Sequence, residues 1–126
     1  MVIGVGSDIL RLDRVAQDAS QLPDGSPFLR STYTVAERAE AVARPIPSLY
    51  LATRFAGKEA VFKAFGIDSS HVKLNEIEIL NDQNGQPQVA LYGRLKQIAE
   101  EKGITDILLS LSYDTDYAIA FAVMQN

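Results

Sequence analysis

Residues 48–66 read SLYLATRFAGKEAVFKAFG, and the fold turns on them. At about 100° per residue, Leu51, Phe55 and Phe62 fall on one side of a helix, Val61 and Phe65 on a second, and Leu49, Ala56 and Ala60 on a third. A helix that is apolar almost all round is a buried one, so this segment is expected at the centre of the core. Arg44-Pro45-Ile46-Pro47 separates it from the element before, Ser48 is expected to cap it, and Gly66 to end it. Glu59 and Lys63 lie one turn apart, between Phe55 and Ala56 in projection, with no obvious solvent face. As an exposed pair they would stabilise the helix by only about 0.2–0.5 kcal/mol. As buried ions they would carry a desolvation penalty of roughly several kcal/mol each, for which a cleft holding a metal or phosphate is the better home.

On the N-terminal side, Val2, Ile3, Val5, Ile9 and Leu10, with Gly4 and Gly6 among them, predict a buried strand that another backbone approaches closely. Asp8 is the odd residue there, either a strand-end cap for the next helix or a second carboxylate with a chemical task. Leu12, Val15, Ala16 and Ala19 recur at helical spacing until Pro23-Asp24-Gly25-Ser26-Pro27 breaks the pattern. A short helix follows, opened by Thr34-Val35-Ala36-Glu37, which has the form of a capping box.

On the C-terminal side, Glu76–Ile79 and Val89–Leu91 predict a hairpin turning at Asn84-Gly85, with Pro87 at a strand start or sheet edge. Leu95, Ile98 and Ala99 mark a helix stopping near Gly103. Two strands, about 107–112 and 117–123, close the chain around Asp114-Thr115-Asp116. The order β-α-α-α-β-β-α-β-β implies an α+β fold, a mostly antiparallel sheet packed against one long buried helix.

The 126 residues suit one domain, 1–126, and 47% hydrophobic with 22% charged residues excludes a disordered tail or a coiled-coil rod. The longest apolar run, Tyr117 to Met124, is too short to span a bilayer. The opening MVIGVGSDILRLDR lacks the marks of a secretory leader. Without cysteine there is no disulfide, thiolate nucleophile or Cys-based zinc site, and a cytoplasmic setting is expected. Net charge is -4, unevenly placed: residues 1–66 hold eight Lys/Arg against seven Asp/Glu, residues 67–126 four against nine. No basic cluster or aromatic-basic stripe stands out, which argues against nucleic acid or an anionic membrane as partner.

Asp8 and Glu59, if they meet, are hard oxygen donors suited to Mg²⁺, which takes one or two carboxylates and fills its shell with water and phosphate. Lys63 beside them would neutralise phosphate charge. His71, the only histidine, has no nucleophile motif near it and reads as a surface loop residue, which disfavours a Ser-His-Asp hydrolase. Gly4-Val5-Gly6 lacks the third glycine of a dinucleotide fingerprint and reads as strand packing. Ser110, Ser112 and Tyr113 end a strand, as its polar face or as a phosphate contact.

Taken together these motifs resemble holo-[acyl-carrier-protein] synthase, the small class of 4′-phosphopantetheinyl transferases, over essentially the whole chain. Gly4-Val5-Gly6-Ser7-Asp8-Ile9 resembles that family's glycine-rich strand, and Arg54-Phe55-Ala56-Gly57-Lys58-Glu59-Ala60 with Lys63-Ala64-Phe65-Gly66 its most diagnostic stretch. Asn84-Gly85-Gln86-Pro87 is similar to its hairpin turn, and Leu109-Ser110-Leu111-Ser112 with Asp116-Tyr117-Ala118-Ile119-Ala120 to its closing strands. The resemblance implies transfer of the phosphopantetheine arm of coenzyme A to a serine of apo acyl carrier protein, with release of adenosine 3′,5′-bisphosphate. It implies Asp8 and Glu59 as Mg²⁺ ligands, Glu59 also as acceptor of the serine proton, and Lys63 at the leaving phosphate. Arg54, Lys58, Lys63 and Ser112 become candidate coenzyme contacts and Arg14 a carrier contact. A homotrimer with active sites between subunits is implied as well.

Three positions depart from the family pattern: Arg11 in place of a glutamate, Tyr113 in place of a histidine, and Ile67-Asp68-Ser69-Ser70 in place of a glycine-bearing loop. They motivate two rivals, a degenerate homologue that binds coenzyme A without transfer, and a transferase serving a polyketide or peptide-synthetase carrier.

Overall fold

Strand β1, Val2–Arg11, is the N-terminal element of the computed structural model, which describes residues 1–70 and 72–126; the reading of His71 as a surface loop residue lies outside them. A 3-10 turn, Leu12–Val15, leads into three helices, α1 Ala16–Ala19, α2 Pro27–Thr32 and α3 Val35–Ala43. The long helix α4 spans Pro47–Phe65, followed by the hairpin of β2, Ile77–Asn81, and β3, Pro87–Leu91. Helix α5, Gly93–Glu101, and strands β4, Asp106–Tyr113, and β5, Tyr117–Gln125, complete the chain. The α+β class is as expected, but the strands form two antiparallel sheets, one ordered β1-β5-β4 and one β2-β3.

Helix α4 behaves as its apolar surface demands. Leu51, Ala52, Ala56, Ala60 and Val61 are fully enclosed, and truncating a buried leucine such as Leu51 is worth roughly 2–5 kcal/mol. Ile46, not Ser48, is the N-cap, because Pro47 takes the first helical position, where its missing N–H is no loss. Gly66 ends the helix at φ 67°, a left-handed conformation that glycine adopts without strain.

Strand β1 is half buried, a correction to the expected buried strand. Its glycines face α4: a Cβ on Gly6 would stand 2.0 Å from the carbonyl oxygen of Ala60, and one on Gly4 2.1 Å from that of Ala64. Val5 and Ile9 point away from the helix and stay exposed. Helix α2 was not expected; Ser26, in the broken stretch, accepts a hydrogen bond from the Leu29 N–H and so starts it. The Thr34–Glu37 capping box opens α3 as predicted, and the expected hairpin, with Pro87 starting β3, is present.

Candidate active site

Asp8 and Lys63 meet because β1 crosses α4 on glycine. The Lys63 ammonium donates to Asp8 Oδ1 and to the Ser7 carbonyl, both at 3.1 Å. The (i, i+4) Glu–Lys pairing is thereby replaced by an interelement one. Glu59, one turn before Lys63, is half buried. Burial first, and then the negative charge of Asp8, hold its carboxyl above the usual carboxylate value, while Lys63 and Arg14 pull the other way. A half-buried carboxylate whose ionisation is opposed by a neighbouring carboxylate forms a site that a cation would relieve. They are also the hard oxygen donors Mg²⁺ prefers, and among the described residues no third acidic or imidazole group joins them. Glu59 further lines a small cavity with Phe62, Ser69, Val72, Lys73 and Leu74.

Lys58 does not belong to this site. Its side chain is 0% exposed and paired with Glu37 Oε1 at 2.6 Å. Its ammonium also donates to the Leu74 carbonyl at 3.1 Å and to that of Ile77. Every donor is spent inside the core, so the expected coenzyme contact is replaced by a structural one that ties α3, α4 and β2 together. Glu37 completes the network by accepting from the Ile79 N–H at 2.7 Å.

Arg54 occupies a different place again. Nine residues before Lys63, at 3.6 residues per turn, it projects roughly from the opposite side of α4. It lines a cavity of about 420 Å³ with Arg44, Tyr50, Thr53, Asn81 and Tyr113, among others. Its guanidinium donates to Asn81 Oδ1 at 2.7 Å and lies over the Tyr50 ring, 4.2 Å from the centroid. Burial lowers its pKa, and the adjoining Tyr50 phenol opposes that shift. The sequence reading does not single out Arg44, Tyr50 or Asn81 for a site, and of Ser112 and Tyr113, which it weighs together at the strand end, Tyr113 is the one that lines the cavity. Alternation along β4 is the signal that separates them, since Leu111 and Tyr113 share one face and exposed Ser112 takes the other. Arg14 is exposed on the 3-10 turn, beside a cavity of about 280 Å³ lined also by Leu10, Val15, Asp18, Phe28 and Phe55.

Comparison with known proteins identifies the family. The model of the 4′-phosphopantetheinyl transferase superfamily matches residues 4–122. The chain belongs to that superfamily. It is 42% identical over 123 residues to the holo-[acyl-carrier-protein] synthase of Desulforudis audaxviator, covering 98% of this chain and 92% of that one. Among solved structures it is similar to the holo-[acyl-carrier-protein] synthase of Neisseria meningitidis, with a TM-score of 0.85, 34% identity and full coverage of both chains. It is also similar to the Bacillus anthracis synthase in complex with coenzyme A (3′,5′-ADP), with a TM-score of 0.77 and 28% identity, covering 98% and 96%. In this phosphopantetheinyl transferase superfamily member, Lys63 beside Asp8 and Arg54 in its cavity are cationic groups held on opposite sides of α4.

Proposed function

We infer that the protein is a Mg²⁺-dependent holo-[acyl-carrier-protein] synthase, moving 4′-phosphopantetheine from coenzyme A to a serine of apo acyl carrier protein. The observation that carries this reading is the convergence of Asp8 from β1 with Glu59 and Lys63 from α4. In the reaction the serine oxygen forms a bond to the phosphorus of the pantetheine-bearing phosphate. The bond from that phosphorus to the bridging oxygen breaks, and adenosine 3′,5′-bisphosphate leaves. Glu59 accepts the serine proton, and its raised pKa makes it a better base than an ordinary carboxylate. Lys63, half exposed and fixed by Asp8, meets the charge that develops on the leaving phosphate. Asp8 and Glu59 would hold Mg²⁺, which when bound offsets the charge of the pyrophosphate.

Coenzyme A carries a second anionic group, the 3′-phosphate, and the Arg44–Arg54 cavity is suited to it. That cavity and Lys63 project from opposite sides of α4, an arrangement that disfavours one coenzyme engaging both within a single chain. Active sites shared between copies resolve this. The outer face of the β1-β5-β4 sheet supports such an assembly: Val5, Ile9, Leu108, Ile119 and Phe121 are all exposed there, Ile9 at 63% and Phe121 at 50%. An exposed face carrying this many large apolar side chains marks an interface, and we assign it to two further copies of this chain, a homotrimer. Arg14 and its neighbouring cavity would meet the acidic carrier protein. Among the described residues no helix is long and apolar enough to cross a membrane; the cysteine-free sequence supports a cytoplasmic setting.

The experiment is to incubate the protein with coenzyme A, Mg²⁺ and apo carrier proteins and to read the carrier mass. Gain of one phosphopantetheine is the expected result. No gain across fatty-acid, polyketide and peptide-synthetase carriers would contradict transfer and favour a protein that only binds coenzyme A.

A further inference from the structure

Tyr50 lies against both cations of the Arg54 cavity. The Arg54 guanidinium carbon is 4.2 Å from its ring centroid and that of Arg44 is 5.1 Å. Tyr50 is only 5% exposed, and its hydroxyl is sealed in without a hydrogen bond of good geometry. The phenol oxygen adjoins the Arg54 guanidinium but is closed to a ligand, so what Tyr50 lays against both arginines is the face of its ring. The two arginines are anchored on different elements: Arg44, at the end of α3, bonds Glu40 at 3.0 Å, whereas Arg54 bonds Asn81 and Thr53. Like charges repel, so something must hold both toward the same space. A partly desolvated aromatic face attracts guanidinium groups strongly enough to do so.

We propose that Tyr50 is a positioning residue whose ring keeps Arg44 and Arg54 together as one receptor for the 3′-phosphate of the coenzyme, and so sets discrimination against dephospho-coenzyme A. This rests on the assignment of the cavity to coenzyme A made above. The burial that lowers the Arg54 pKa acts in the same direction, since a desolvated guanidinium gains more from the ring.

The test is calorimetric binding of coenzyme A and dephospho-coenzyme A to the wild type, Tyr50→Phe, Tyr50→Met and Arg54→Gln, with KM and kcat for transfer measured alongside. Tyr50→Met is expected to weaken coenzyme A about tenfold, in Kd and KM but not in kcat, and to leave dephospho-coenzyme A unchanged. Tyr50→Phe, which keeps the ring, is expected to bind coenzyme A as the wild type does. Tyr50→Met within twofold of wild type, while Arg54→Gln loses affinity, would overturn the role of Tyr50. Arg54→Gln at wild-type affinity would instead overturn the assignment of the cavity, and the proposal with it. Should the Met variant fail to fold, Arg44→Gln, Arg54→Gln and the double variant carry the test. Non-additive losses of coenzyme A affinity are expected of a pair held as one, and strictly additive losses would contradict it.

Discussion

Gly6 lies so close to Ala60 that a Cβ on the strand would come within 2.0 Å of the helix carbonyl oxygen. This contact sets the height of β1 over α4, and two residues further along β1 it delivers Asp8 to Lys63, one turn beyond Glu59. Gly6→Ala must push strand and helix apart. It is expected to destabilise the protein by about 1–3 kcal/mol, as overpacking does, and to slow transfer as well, because Asp8 moves with the strand. Denaturant unfolding and the rate of holo-carrier formation check the two effects.

Lys58 and Glu37 form an ion pair with both side chains at zero exposure. Burial pulls the lysine pKa down, and the glutamate opposes it. Removing one partner leaves a buried charge uncompensated, so Lys58→Met is expected to lose about 3–5 kcal/mol. The double variant with Glu37→Leu should recover part of that loss, as urea unfolding of both proteins would reveal.

Glu59 carries a linkage whose sign can be stated. Its folded pKa lies above the unfolded one, so the stability it contributes is present at low pH, below the unfolded value, and is lost as pH rises through the folded value. At neutral pH the charged carboxylate therefore weakens the fold. Glu59→Gln is expected to melt above the wild type near pH 7, with the difference shrinking as pH falls below the ordinary carboxylate range. Melting curves over that range measure it.

Phe121 stands at the middle of the outward sheet face, between Ser7 on β1 and Ser110 on β4. Phe121→Lys places a charge in the proposed trimer interface. It is expected to yield monomers by sedimentation equilibrium and to lower the transfer rate at least tenfold, because it separates the Arg54 cavity from the neighbour's Glu59.

Much of this was legible in the sequence where a local rule suffices. The Thr34–Glu37 box, the turn at Asn84-Gly85 and the break at Gly66 each depend on a few adjacent residues, and each is where the spacing puts it. Asp8, Glu59 and Lys63 could be named because charge within apolar stretches is conspicuous, although only the structure brings them to one place. The fate of Lys58 was not legible. On a helix apolar all round, sequence does not say which side meets solvent, and its partner Glu37 already had a local explanation as a cap. Strand β1 misled for a related reason: its apolar outer side chains suggest burial within one chain, whereas its glycines are packed on the helix and Val5 and Ile9 face outward.

The most direct measurement is the transfer rate of Glu59→Gln at saturating coenzyme A and apo carrier protein, read by the mass of the carrier. With the melting curves confirming that the variant is folded, the rate is expected to fall by about a hundredfold or more, the range for loss of a general base. A rate within a few-fold of wild type would contradict the placement of Glu59 at the reacting phosphate.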